Sequence, residues 1–269
     1  MAEGIILKRR RPLLLNRFPN AAAAYSLRNL KATYVGDPVV RVRRSVDNAE
    51  AEFTATEVSD GTLATWVGAD NDGFVTTWYD QSGNANDATQ AAASSQPKIV
   101  SAGVLVTENG KAAIDFDGVG QTLTRPVPID SISDCYASVV AYPRADQTRQ
   151  YILKLSDFTS NRRFYILAKG FLIANEGLFN INANFNENNL YTLLSDNGDY
   201  SGFLNGQAVG YSGTHSATGI AQAMFIGSYN AAPGQFFDGL ISEIIIYSFG
   251  QTLFRTQIES NINDYYGIY

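Results

Sequence analysis

The sequence predicts an all-β fold, a sandwich or a barrel, and three features carry that expectation. Short apolar runs recur at roughly regular spacing, separated by Gly, Asn and Asp turn residues. Aromatics form 12% of the 269 residues and are nearly all Tyr and Phe, against only two Met, a balance that suits half-buried strands. Hydrophobic residues reach 45% and charged residues only 17%, enough apolar surface for a large core and too little polarity for disorder.

Residues 1–20 read as an extended basic arm, because Pro12 and Pro19 discourage a helix. Residues 21–30 contain good helix formers with Tyr25, Leu27 and Leu30 as anchors, so a short helix is expected there. The alternation of Val and Arg over 39–43 has the period of a strand with one buried face. Asp60 is placed to cap a short helix carrying Leu63, Trp66 and Val67. Strands are then expected at 73–79, 99–106, 112–116, 136–142, 150–155, 163–168, 170–174, 190–195, 200–204, 223–227 and 239–247. The tail changes period: Leu253, Ile258, Ile262 and Tyr265 fall near helical spacing, and Gly267 stands where a helix would stop. The expected organisation is therefore an arm at 1–20 and one domain over 21–269.

Composition excludes several classes. No apolar run approaches the roughly 18 residues that span a bilayer. Lys8 to Arg11 precede only Leu13 to Leu15, too short for a secretion signal, so synthesis without export across a membrane is expected. Cys135 is the lone cysteine, which rules out an intrachain disulfide and a cysteine zinc cage. The net charge of −6 is unevenly spread: residues 1–44 hold ten Lys or Arg against Glu3 and Asp37, leaving an acidic body poorly suited to nucleic acid. Those leading cations either dock on an acidic neighbour or fold back onto the chain's own acids.

Several blocks carry a resemblance. Phe116-Asp117-Gly118 with Leu123, Phe203-Leu204-Asn205-Gly206, Phe225-Ile226-Gly227-Ser228, Phe237-Asp238-Gly239 and Ile241 to Tyr247 resemble the strands and turns of concanavalin A-like and laminin G-like domains. The tail ending in Tyr265-Tyr266-Gly267 resembles their closing helix. Ala24 to Arg28, Val42 to Ser45 with Asp47, and Trp78-Tyr79-Asp80-Gln81-Ser82-Gly83-Asn84 look like the N-terminal sandwich of the α-L-arabinofuranosidase B family. The same blocks occur in many bacterial and phage proteins that share this sandwich. The resemblance implies a two-sheet concanavalin A-like jelly roll with short N-terminal and C-terminal helices. The disulfides of those enzymes have no counterpart in a chain with one cysteine, and their catalytic carboxylates match no motif in this chain.

Trp78, Tyr79, Asp80, Gln81 and Asn84 are the candidate glycan contacts, offering ring faces and amide and carboxylate groups to sugar hydroxyls. The same residues beside Gly83 also read as a tight turn, which is the preferred account. Asp70 and Asp72 are weak calcium ligands, short of the roughly six to eight oxygens calcium takes; no other cofactor is expected. Asp115 and Asp117 share a strand face and offer further oxygens, and an Asn-rich stretch at 175–189 reads as a ligand loop or an edge hairpin. Glycosidases need two carboxyls across a cleft. The acids Glu176, Glu187, Asp196, Asp199, Asp238 and Glu243 show no short-spaced pairing of the Glu-x-Asp-x-x-Glu kind. Glu243 in an apolar strand must find a partner or shift its pKa, and one of the early Arg residues is the expected partner. His215 is the lone histidine, too little for a metal set or a preorganised Ser–His pair.

No catalytic residue is therefore assigned. The expected function is a non-enzymatic structural or adhesion component of a phage particle, located in the virion as head decoration, fibre or tail. It would dock through Lys8, Arg9, Arg10, Arg11 and Arg17 onto other virion proteins, as a homo-oligomer, and present its sandwich to a host-surface glycan. No membrane contact is expected. The alternatives are a free lectin-like carbohydrate-binding protein and an arabinofuranosidase-like glycoside hydrolase.

Overall fold

The ten-residue strand Asp238–Tyr247 runs through the middle of the fold in the computed structural model, which describes residues 12–125, 134–144, 150–156, 163–173, 178–215, 223–230 and 235–269. One edge pairs antiparallel with Cys135–Pro143. The other edge is shared by Ile114–Asp117 and Ala23–Ser26. Beyond Cys135–Pro143 the order continues through Asn189–Asp196, Asp199–Leu204 and Gln207–Thr214.

A second branch runs from Glu50–Thr54 through Pro38–Arg44, Gly73–Trp78, Ala88–Thr89, Leu123–Arg125 and Ala223–Ile226. It goes on through Tyr151–Ser156, Arg163–Leu167 and Gly170–Ile173. Lys98–Ser101 joins the branches by pairing with both Gly73–Trp78 and Ile114–Asp117. Among the described residues the result is nearly all β, one antiparallel network of 19 strands beside a separate two-stranded hairpin. Each of the eleven strands expected from sequence falls on an observed strand.

Side chains alternate across a strand, so each branch has two faces to bury. Ile241, Ile244 and Ile246 of the central strand share one core with Ile152, Ile166 and Ile226 of the second branch. Ile245 and Tyr247 point the opposite way and are covered by Leu14, Leu15, Phe18, Ile258, Ile262 and Tyr266. The last three lie on one face of the helix Arg255–Tyr266, which ends at Gly267 in the left-handed conformation, φ 64°. The far face of the first branch is thus closed. Among the described residues no helix lies across the far face of the second.

Two expectations fail here. Residues 21–30 are not helical: Ala23–Ser26 is a fully buried strand paired with Glu243–Ile246. Helix propensity is a weak prior, and the open edge of a buried strand overrides it. The proposed arm is not extended over 12–20, because Leu14–Arg17 forms a helical turn that buries Leu14 and Leu15, with Phe18 buried beside it. Residues 1–11 lie outside the described residues. Asp60 stands one residue short of its expected place: Gly61 is the N-cap of Thr62–Val67 and Asp60 ends Ala55–Ser59, although its Oδ1 does accept from the Thr62 N–H.

Leu14 is completely buried. Leu14→Ala is therefore expected to cost about 2–4 kcal/mol. Urea unfolding checks this, and an unchanged midpoint would show that the segment is not part of the core.

Candidate functional site

The Asp80 turn is a clamp. The Asp80 carboxylate accepts from the Ala24, Ser82 and Asn86 N–H groups at 2.8, 2.9 and 3.0 Å and from the Ser82 hydroxyl at 2.6 Å. Gln81 accepts from Leu30 N–H at 2.8 Å and donates to the Ser26 and Arg28 carbonyls. The Asn84 amide donates to the Ala21 and Ala22 carbonyls. These groups satisfy the backbone around Ala23–Ser26, and Trp78 lies wholly inside the core with no face for a sugar. Tyr79 is half-buried and donates its hydroxyl to Glu52 at 2.7 Å.

The other sequence-derived positions scatter. Asp70 sits in a left-handed turn position, φ 61°. Asp72 pairs with Lys98 at 2.9 Å and accepts from Ala102 N–H. Among the described residues no group of three metal-ligating side chains converges. Asp115 and Asp238 both bind Arg144, and Asp117 accepts from the N–H groups of Val119 and Gly120. Burial raises the Asp115 pKa against the pull of Arg144. His215 Nε2 meets Ser195 Oγ at 3.0 Å, but Ser195 is fully buried. Lys8, Arg9, Arg10, Arg11 and Glu176 lie outside the described residues. Arg17 donates to Gln257 and stands over the Phe18 ring. Four other early cations fold back: Arg28 onto Glu243, Arg41 onto Glu50, Arg43 onto Gln96 and Asn48, Arg44 onto Asp47.

The far face of the second branch carries a different constellation. Directly paired residues of antiparallel strands point to the same side. Register places Glu52 opposite Arg41, Arg41 opposite Thr77, Thr77 opposite Thr89, and Thr89 opposite Thr124. The row continues through Phe225, Lys154, Tyr165 and Leu172. A line of hydroxyls thus leads to an aromatic end, where Tyr151, Tyr165 and Tyr229 stand 5.0 to 6.0 Å apart, centroid to centroid. Lys154 Nζ sits 3.7 Å from the Tyr229 centroid and 5.2 Å from that of Phe225.

Lys154 is 1% exposed. Burial, reinforced by the positive charge of Arg163, lowers its pKa to about 8. A ligand would meet the half-buried Tyr229, Leu172 and the threonines, with Lys154 polarising the tyrosine from beneath. The sequence does carry a trace of this site: Lys154 interrupts the apolar run Tyr151 to Leu155, where a cation is out of place without aromatic or anionic company.

No protein-family model matches the sequence. No curated protein sequence matches it. Among solved structures, a mutant GH54 α-L-arabinofuranosidase soaked with 4-nitrophenyl α-L-arabinofuranoside superposes with a TM-score of 0.69 at 16% identity, covering 90% of this chain and 62% of that one. An arabinofuranosidase complexed with arabinofuranosyl-α-1,2-xylobiose gives 0.67 with the same identity and coverage. A Trypanosoma rangeli sialidase with sialic acid gives 0.51 at 13% identity over 70% of this chain and 31% of its own. This chain spans 62% of the length of the two arabinofuranosidases, and identity this low establishes the fold. The phage structural expectation is overturned: three solved structures that share the fold over 90% of this chain are arabinofuranosidases. The expectation of a non-enzyme falls with it.

Folding lowers the Lys154 pKa, so the unfolded chain binds more protons between about pH 8 and 10.5 and stability contributed by this group rises with pH in that window. The stability of the protein relative to its Lys154→Met variant is expected to rise by about 3 kcal/mol from pH 7 to pH 11. Urea titrations at both pH values test it; a pH-independent difference would place Lys154 in water.

Proposed function

We propose that the chain is a glycoside-hydrolase-type module that takes arabinofuranose-bearing glycans across the far face of its second branch. The observation that carries the reading is the row of Thr77, Thr89 and Thr124 leading to Tyr229 over Lys154. Threonine hydroxyls suit sugar hydroxyls, and the flat apolar ring of a tyrosine suits the C–H face of a furanose. The likeness to arabinofuranosidases over 90% of the chain supports the same direction.

The two branches, which share one core, correspond in this reading to the two sheets of a concanavalin A-like jelly roll. The first is backed by the C-terminal helix and the Leu14–Arg17 turn, and the second carries the ligand face.

Incubation with 4-nitrophenyl α-L-arabinofuranoside is the test. Release of 4-nitrophenol is expected, reduced about tenfold or more in Tyr229→Ala, whose lost ring is a binding face. Saturable binding of arabinose oligomers without release would favour the lectin-like alternative. Neither release nor binding would remove both readings.

A further inference from the structure

A second groove lies on another part of the molecule, between the segment after Ala23–Ser26, the helix Ala55–Ser59, the hairpin of Thr107–Glu108 with Lys111–Ala112, and the end of Arg255–Tyr266. Its volume is about 410 Å³, within the range of small-ligand pockets. Arg28, Asn29, Lys111, Thr107, Ser59 and Tyr265 contribute to its lining.

Two cations and one acceptor there are incompletely used. Arg28 gives Nε and Nη2 to Glu243 at 2.7 and 2.9 Å, and Nη2 also reaches Asn261; Nη1 has no hydrogen bond among the described residues. Lys111 Nζ stands 4.4 Å from the Tyr265 centroid, and the Arg28 guanidinium 4.5 Å. Lys111 forms no ion pair among the described residues, although Glu108 stands opposite it across the hairpin. Asn29 Oδ1 is buried without a hydrogen-bond partner.

The charged side chains in the groove lining are the cations Arg28 and Lys111. Glu243 is paired with Arg28, and Glu57 and Glu108 stand outside the lining.

We infer that this groove binds a carboxylate-bearing sugar of the uronic acid class. The carboxylate would lie against Lys111 Nζ and Arg28 Nη1, while sugar hydroxyls meet Thr107 and Ser59. Charge-assisted bonds to the carboxylate supply the affinity, and the protein hydroxyls distinguish a sugar acid from a bare anion.

Calorimetric titration with sodium D-glucuronate, D-glucose, sodium acetate and inorganic phosphate tests it. Saturable binding of glucuronate is expected, with glucose and acetate about tenfold weaker or more, since each leaves half of the site unpaired. Lys111→Gln should weaken glucuronate about fivefold or more, and Lys111→Arg should restore most of it. No saturable binding of glucuronate, acetate or phosphate binding equally well, or an unchanged affinity in Lys111→Gln would each overturn the inference.

Discussion

The fold depends on how a carboxylate is accommodated in the middle of its most apolar strand. Glu243 is 1% exposed, and nothing else in Ile241 to Tyr247 carries a charge. It receives a two-point bond from Arg28, a 2.8 Å bond from the Ser26 hydroxyl and one from the Tyr266 hydroxyl at 3.2 Å. Those partners come from the two chain termini. A single acid therefore ties the start of the domain, its central strand and its closing helix into one buried unit. An unpaired carboxylate at this depth would cost several kcal/mol, so the pairing selects one register for Ala23–Ser26 against the central strand.

The Asp80 clamp works on the same segment from the other side. Asp80 binds Ala24, Gln81 binds Leu30 and the carbonyls of Ser26 and Arg28, and Asn84 binds Ala21 and Ala22. On the edge of Ala23–Ser26 away from the central strand, the Ala24 N–H is thus met by Asp80, the Ala24 carbonyl by the Gln81 N–H and the Ser26 carbonyl by the Gln81 amide. The first branch is sealed by this segment, the Leu14–Arg17 turn and the C-terminal helix; on the outer face of the second, Thr89 is exposed and Thr77, Thr124, Leu172 and Tyr229 are half-buried, while Lys154, Tyr151 and Tyr165 are buried.

Much of the fold was legible because turn chemistry is local. Asn205 and Gly206 have φ of 50° and 76°, the positive values that an Asn-Gly hairpin turn requires. Gly227 was visible only as part of a resemblance; the reason for it is that a Cβ there would fall 2.3 Å from the Phe116 ring. Ala23–Ser26 was misread as helix because its strand character comes from Glu243–Ile246, more than two hundred residues away. The same distance hid the threonine row. The Trp78 to Asn84 block reads in sequence first as a tight turn and second as a ligand turn, and its polar groups face backbone. The threonine row is assembled from strands whose order no local pattern gives.

A double-mutant cycle on Glu243→Gln and Arg28→Met tests the central pairing most directly. Each single change is expected to cost about 3–5 kcal/mol in urea unfolding, because it strands the other charge in the interior. The double variant should lose at least about 1 kcal/mol less than the two combined. Additivity within about 0.5 kcal/mol would show that the two side chains stabilise the fold independently and that this ion pair is not its keystone.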